Sequence, residues 1–194
     1  MRLLCALALS MLLAACAAKG PQRATEPQIA ALAASLRSLS AAVDPAEAAR
    51  AARLSYETTH RLALAYQITD HPLIHNAKVN AGRKPRGLCY HWAEDLQARL
   101  LQEDFVTLDI TRAIANAENA LLIDHSTAVI TPKGAPMQAG IVIDPWRNGG
   151  RLFWSPVIAD RRYEWHPRAE VMRRTGRIRY VQRSQGSLAP PPVD

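Results

Sequence analysis

Three side chains in this sequence have the types and the order that thiol acyl chemistry requires. Cys89 lies in Pro85-Arg86-Gly87-Leu88-Cys89-Tyr90-His91-Trp92, where a glycine-marked loop runs into an amphipathic helix. A thiolate at a helix N-terminus is stabilised by unpaired backbone N–H groups and by the positive end of the helix dipole. His125 and Asp144 follow downstream. The chemistry needs a thiolate, a base that takes and returns its proton, and a third group that fixes the base's tautomer. A lone cysteine is more often a small buried hydrophobe than a nucleophile. That reading stands beside the catalytic one, and the expected export of the chain shifts the balance toward the nucleophile.

The elements that must position these residues can be read from periodicity. Leu88, Trp92, Leu96 and Leu100 recur every four residues and predict a helix over 88–102, with Cys89 in its first turn, one position off the buried stripe. Beyond it, residues 105–114, 126–131 and 141–144 are rich in β-branched side chains, and Thr131-Pro132-Lys133-Gly134 begins a turn. Residues 126–131 and 140–144 are therefore expected to pair as an antiparallel hairpin. His125 would begin one strand and Asp144 end the next, so the hairpin's end could hold them side by side. Residues 152–154 and 178–182 are further strand candidates. Upstream, Ile29, Leu32, Leu36 and Leu39 predict a helix over 28–43, and Asp44-Pro45 caps a second over 46–67. Residues 70–87, with prolines, glycine and asparagines, read as loop. Helices followed by strands predict one α+β domain over 27–184: an N-terminal helical hairpin, then a core helix carrying Cys89 on a small antiparallel sheet.

These residues resemble the transglutaminase-like branch of the papain-type fold. Gly87-Leu88-Cys89-Tyr90-His91-Trp92 matches the family's cysteine at the start of a core helix. Asp124-His125-Ser126-Thr127-Ala128-Val129 matches its histidine at a strand start, and Ile143-Asp144-Pro145-Trp146 its Asp-Pro in a following strand. The resemblance covers about residues 86–146. It implies Cys89 as nucleophile, His125 as general base and acid, and Asp144 as the orienting carboxylate. The aromatic residue that directly follows the family's histidine is replaced here by Ser126. The family includes proteases, amidases, cross-linking enzymes and members without activity, so the resemblance speaks to roles more than to substrate.

Other residues compete with or could complete this set. The Cys89 backbone N–H is expected to stabilise an oxyanion, with Asn80 as candidate for a second donor and a turn-satisfying role as its alternative. His91 is a rival base, but two residues along a helix from Cys89 it points elsewhere, and a polar face position is favoured. His71 and His75 have a spacing seen in metal sites. Pro72 argues against helical presentation of that pair, and no zinc framework surrounds it, so no metal or other cofactor is expected. Trp146, Trp154 and Trp165 are by type core residues, of which Trp146, two residues from Asp144, is the one expected to wall the site.

The other two cysteines point to export. Met1-Arg2, a short apolar stretch and Leu13-Ala14-Ala15-Cys16 look like a lipoprotein leader over 1–15 with a lipobox. Cleavage would discard Cys5 and place acyl chains such as palmitate on Cys16; an ordinary secretory signal is the alternative. Residues 16–26 then form a flexible tether, and the Pro-rich residues 185–194 a disordered tail. Ala17, in place of Asp, resembles the outer-membrane sorting pattern, which favours the outer over the inner membrane. With Arg2 removed the formal charge is +6, and eight arginines lie between Arg161 and Arg183. That region could meet anionic headgroups or cell-wall polymers; a solvated face partly neutralised by Asp160, Glu164 and Glu170 is the plainer reading. Export and the lack of a binding motif disfavour nucleic acid. The expectation is an envelope-anchored thiol hydrolase or acyltransferase facing the periplasm, acting on a peptide or protein, with cell-wall peptide nearby. The competing expectation is a non-enzymatic lipoprotein that uses the same fold for binding.

Overall fold

The computed structural model describes residues 21–119 and 121–176. The expected leader, Cys16, the strand at 178–182, the tail, and Arg177, Arg179 and Arg183 lie outside the described residues.

Helix α1, Glu26–Arg37, starts at Thr25, whose backbone N–H donates to the Gln28 side chain at 2.8 Å. It begins two residues earlier than expected because Pro27 fits the first turn, where no N–H is needed. It also ends earlier. The Ser38 hydroxyl donates to the Ser35 carbonyl, and Ser40 accepts from the Ala42 N–H, diverting the backbone into a turn. Helix α2, Pro45–Ala65, is capped by Asp44, which accepts from the Glu47 N–H at 2.8 Å. Ala48, Ala51 and Ala52 are buried and let α2 lie close against Ile29, Leu32 and Leu36 of α1. Glu47, also buried, accepts from the Val106 and Thr107 N–H groups at 2.8 Å each and fixes α2 to the segment entering the sheet.

Residues 70–87 are not all loop. Pro72–Asn80 form helix α3, with His71 as N-cap and Pro72 in the first turn. Proline at that position supplies a pre-set φ and loses no hydrogen bond, so it starts this helix instead of preventing one. His71 and His75 therefore flank one helical turn, contrary to the expectation for that pair. His71 Nδ1 accepts from the Leu73 N–H, and His75 Nε2 donates to the Arg86 carbonyl. Among the described residues, no group of three or more His, Cys, Asp or Glu side chains is placed to hold a metal ion.

Helix α4, Cys89–Leu101, carries the predicted stripe, with Trp92, Leu96 and Leu100 buried. Strands β1 (Leu108–Ala115), β2 (His125–Pro132), β3 (Ile141–Asp144), β4 (Phe153–Pro156) and β5 (His166–Pro167) form one antiparallel sheet in the order β4-β3-β2-β1-β5. The expected hairpin is present, with Ala128 opposite Ile143 and Ile130 opposite Ile141. The strand expected at 152–154 is β4. Strand β5 and helix α5, Arg168–Arg174, had no expected counterpart.

Alternation along the strands gives the sheet two apolar faces. Leu108, Ile110, Ala128, Ile130, Ile141 and Ile143 pack against α1, α2 and α4, while Ala113, Val129 and Val142 meet Met137, Val157 and Trp165 on the other side. His125 and Asp144 belong by alternation to this second face. Helix α4 packs on the first face with its N-terminus beside the start of β2, where Cys89 meets Asp124. Among the described residues, no helix is long and apolar enough to cross a membrane.

Candidate active site

The backbone leading into Cys89 is clamped by three side chains. His75 Nε2 donates to the Arg86 carbonyl at 2.8 Å, and Trp92 Nε1 donates to the Gly87 carbonyl at 3.1 Å. His91 Nδ1 accepts from the Gly87 and Leu88 N–H groups at 3.2 and 3.3 Å. His91 thus satisfies donors at the start of α4, as the acidic or amide residue of a capping box does. Burial and the nearby Arg86 charge hold its pKa below the ordinary value, which suits an acceptor. His91 therefore holds the loop, with its Nδ1 committed to the Gly87 and Leu88 N–H groups.

Gly87 makes this path possible. Its φ is +125°, and a Cβ there would stand 2.4 Å from His75 Nε2 and 2.6 Å from His75 Cδ2. Gly87→Ala is therefore expected to cost about 2–4 kcal/mol, combining backbone strain with overpacking. Urea unfolding checks this; a change below about 0.5 kcal/mol would mean the loop has another path.

Cys89 is the first residue of α4 and is only 8% exposed. Its thiol donates to the Asp124 carbonyl at 3.5 Å. His125 follows Asp124 directly and is buried, with Nε2 donating to Asp144 Oδ2 at 2.7 Å. That bond fixes the tautomer. It leaves Nδ1 buried and without a hydrogen-bond partner, with Cys89 near enough to raise the imidazole pKa. Burial pulls the imidazole pKa down, but the Asp144 charge and hydrogen bond and the neighbouring Cys89 outweigh it and raise it to about 9. Asp144, almost fully buried, is penalised by burial, yet His125 and Arg147 hold its carboxyl below the usual range.

Two residues that sequence reasoning missed extend the His125–Asp144 pair. Arg147 donates from Nε to Asp144 Oδ2 at 3.0 Å and from its backbone N–H to Oδ1 at 3.2 Å. Its other guanidinium nitrogens grip Asp160 at 3.1 and 2.5 Å. Asp160 also accepts from Trp165 Nε1 at 2.9 Å and from the Arg162 N–H at 3.0 Å. The guanidinium carbon lies 3.8 Å from the Phe153 ring centroid and 4.8 Å from that of Tyr163. Arg147 directly follows the Asp-Pro-Trp motif, which is a local signal. Asp160 has none, because only the fold brings it near.

The imidazole sits within an aromatic enclosure. Ring centroids of Trp146, Tyr163 and Trp165 lie 4.7, 4.6 and 5.3 Å from that of His125. Trp146 packs against the imidazole, and its Nε1 donates to Asn76 Oδ1 at 3.0 Å. Trp154 is elsewhere, donating to the Tyr56 hydroxyl at 3.0 Å. Asn80 is not brought to the site. Because 72–80 is helical, Asn80 is exposed at the far end of α3, whereas His71, Pro72 and Leu73 at the near end line a cleft of about 450 Å³ beside His125 and Trp146. Of the Arg-rich region, Arg162 is exposed at that cleft, while Arg174 pairs with Glu118 and Glu170 at 2.5 and 3.3 Å.

Scanned against protein-family models the chain matches none, and searches of curated proteins and of solved structures likewise return no match.

Proposed function

We propose that this protein is a thiol hydrolase or acyltransferase of transglutaminase-like, papain-type architecture, acting on peptide amides and anchored to the cell envelope through a lipid on Cys16. One observation carries the catalytic reading. Asp144 occupies His125 Nε2, which leaves Nδ1 unbonded beside a cysteine that is the first residue of a helix. In the forward half-reaction the Cys89 thiolate, its proton already held on His125, attacks the amide carbonyl. The C–N bond then breaks, and the imidazolium protonates the departing amine, leaving a thioester. Water or a second amine attacks the thioester, returns a proton to His125 and frees the thiolate. The Cys89 backbone N–H, unpaired within the helix, suits the oxyanion. No side chain is assigned as second donor. Cell-wall peptide is the substrate class that the proposed location suggests.

A binding module without catalysis is the second reading. It is favoured by the low exposure of Cys89 and by the bond from its thiol to the Asp124 carbonyl. Such a module would bind anionic polymers through arginines like Arg162, with affinity that falls steeply with salt and ignores Cys89 substitution. Iodoacetamide labelling separates the two. The catalytic reading expects rapid modification of Cys89 at neutral and mildly acidic pH, slowed in His125→Ala and lost in Cys89→Ala. Labelling only after denaturation would establish an inert thiol.

A further inference from the structure

We infer that the cleft beside His125 binds the amine side of the amide, the leaving group in hydrolysis or the acceptor in transfer, and selects an apolar side chain there. This rests on the thiol mechanism proposed above. The cleft is lined by His125 but not by Cys89. In such a reaction the acyl carbon is bonded to sulfur, while the imidazole exchanges its proton with the amine nitrogen. A group held in this cleft is therefore on the nitrogen side of the bond.

The walls give the specificity. Pro72 and Leu73 come from the start of α3, Leu121, Leu122 and Ile123 from the β1–β2 connection, and Trp146 from the end of β3. Leu121, Leu122 and Ile123 are 94%, 52% and 61% exposed, and Leu73 is 49% exposed. Apolar residues exposed together at the rim of a cleft mark a binding surface. Described residues of the connection are tied to one another: Asn116, at φ +66°, donates from Nδ2 to the Ile123 carbonyl at 3.2 Å, and Asn119 Oδ1 accepts from the Leu121 N–H at 3.0 Å. Asp124, Arg147 and Arg162 line the cleft as well; the Arg147 guanidinium is committed to Asp144 and Asp160, and Arg162 holds its charge in water at the rim. An apolar amine residue buries these exposed side chains and needs no counter-charge.

Partitioning of an acetyl-enzyme tests this on the full-length protein. p-Nitrophenyl acetate transfers its acetyl group to Cys89: the S–C bond forms, the ester C–O bond breaks, p-nitrophenolate leaves as the anion, and the proton on His125 passes to solvent. Leucinamide, phenylalaninamide or glycinamide then competes with water for the thioester. The amine nitrogen bonds to the carbonyl carbon, His125 takes the amine proton, and the C–S electron pair returns to sulfur. Leucinamide and phenylalaninamide should capture the acetyl group at least about tenfold better than glycinamide. In Leu122→Ser/Ile123→Ser, and independently in Leu73→Ser, that preference should fall toward about twofold or less. Equal capture by wild type, or a preference that survives in both variants, overturns the cleft assignment alone. Absence of a p-nitrophenolate burst overturns the thiol mechanism, and the assignment with it.

Discussion

Replacing His125 with alanine is expected to slow acylation of Cys89 by an amide about 10²–10⁴-fold, the contribution of a positioned general acid and base. The pH profile identifies the cause. With its pKa raised to about 9, His125 holds its proton at neutral pH and can deliver it to the leaving amine. Amide acylation by the wild type should therefore fall as pH rises through about 9, and the alanine variant should lack that limb. Stability has a matching sign. The folded pKa lies above the ordinary histidine value of about 6.5, so the stabilisation from the charged pair is complete below about pH 6.5 and disappears as pH passes about 9. Asp144→Asn is a graded companion. An amide oxygen can still accept from Nε2, but the charge that raises the imidazole pKa is gone, so the alkaline limb should move to lower pH. Stopped-flow acylation across pH checks each expectation, and identical profiles in wild type and His125→Ala would remove the histidine from the mechanism.

The largest loss of stability is expected at Arg147. Its side chain is 6% exposed and stands between Asp144 and Asp160, which are 1% and 2% exposed. Arg147→Met preserves much of the contact with Phe153 and Tyr163 but leaves two buried carboxylates without their shared cation. Breaking such an arrangement from one side costs about 3–5 kcal/mol, because the remaining charges stay buried. Arg147→Lys should recover part of this, since an ammonium cannot reproduce the fork that grips Asp160 while also meeting Asp144. The pH dependence again has a definite sign. Without the cation the buried carboxyls take up protons more readily in the folded state than they do in the wild type, so the deficit should shrink as pH falls. Urea unfolding at neutral and acidic pH measures it. A deficit below about 1 kcal/mol that does not change with pH would show that the network contributes little.

The parts of the site that were legible in the sequence are those set by local chemistry. A glycine before a four-residue apolar repeat placed Cys89 at a helix start. β-Branched runs around Thr131-Pro132-Lys133-Gly134 placed His125 and Asp144 at the same end of a hairpin. Helix α3 is not legible when Pro72 is taken as a breaker, although proline in a first turn is a start signal; a loop over 70–87 would leave Asn80 free to approach the site, whereas the helix carries it to the far end. His75 in fact holds the Arg86 carbonyl and sets the glycine requirement at position 87. The Arg147–Asp160 bridge was illegible for another reason. It joins the residues after β3 to those before β5, and no periodicity within either segment announces it. The partly covered thiol is likewise a tertiary property: Cys89 lies off the helix's apolar stripe, yet the end of the sheet, with Asp124, His125 and Trp146, closes over the first turn.

Acid-quench trapping of the acyl-enzyme tests the central claim most directly. Full-length protein mixed with p-nitrophenyl acetate, quenched and analysed by mass spectrometry is expected to carry an acetyl group on Cys89 that forms within the burst and decays with turnover, with slower formation in His125→Ala. Acetylation confined to lysines, with Cys89 unmodified in the folded wild-type protein, would contradict the proposal that Cys89, His125 and Asp144 act together.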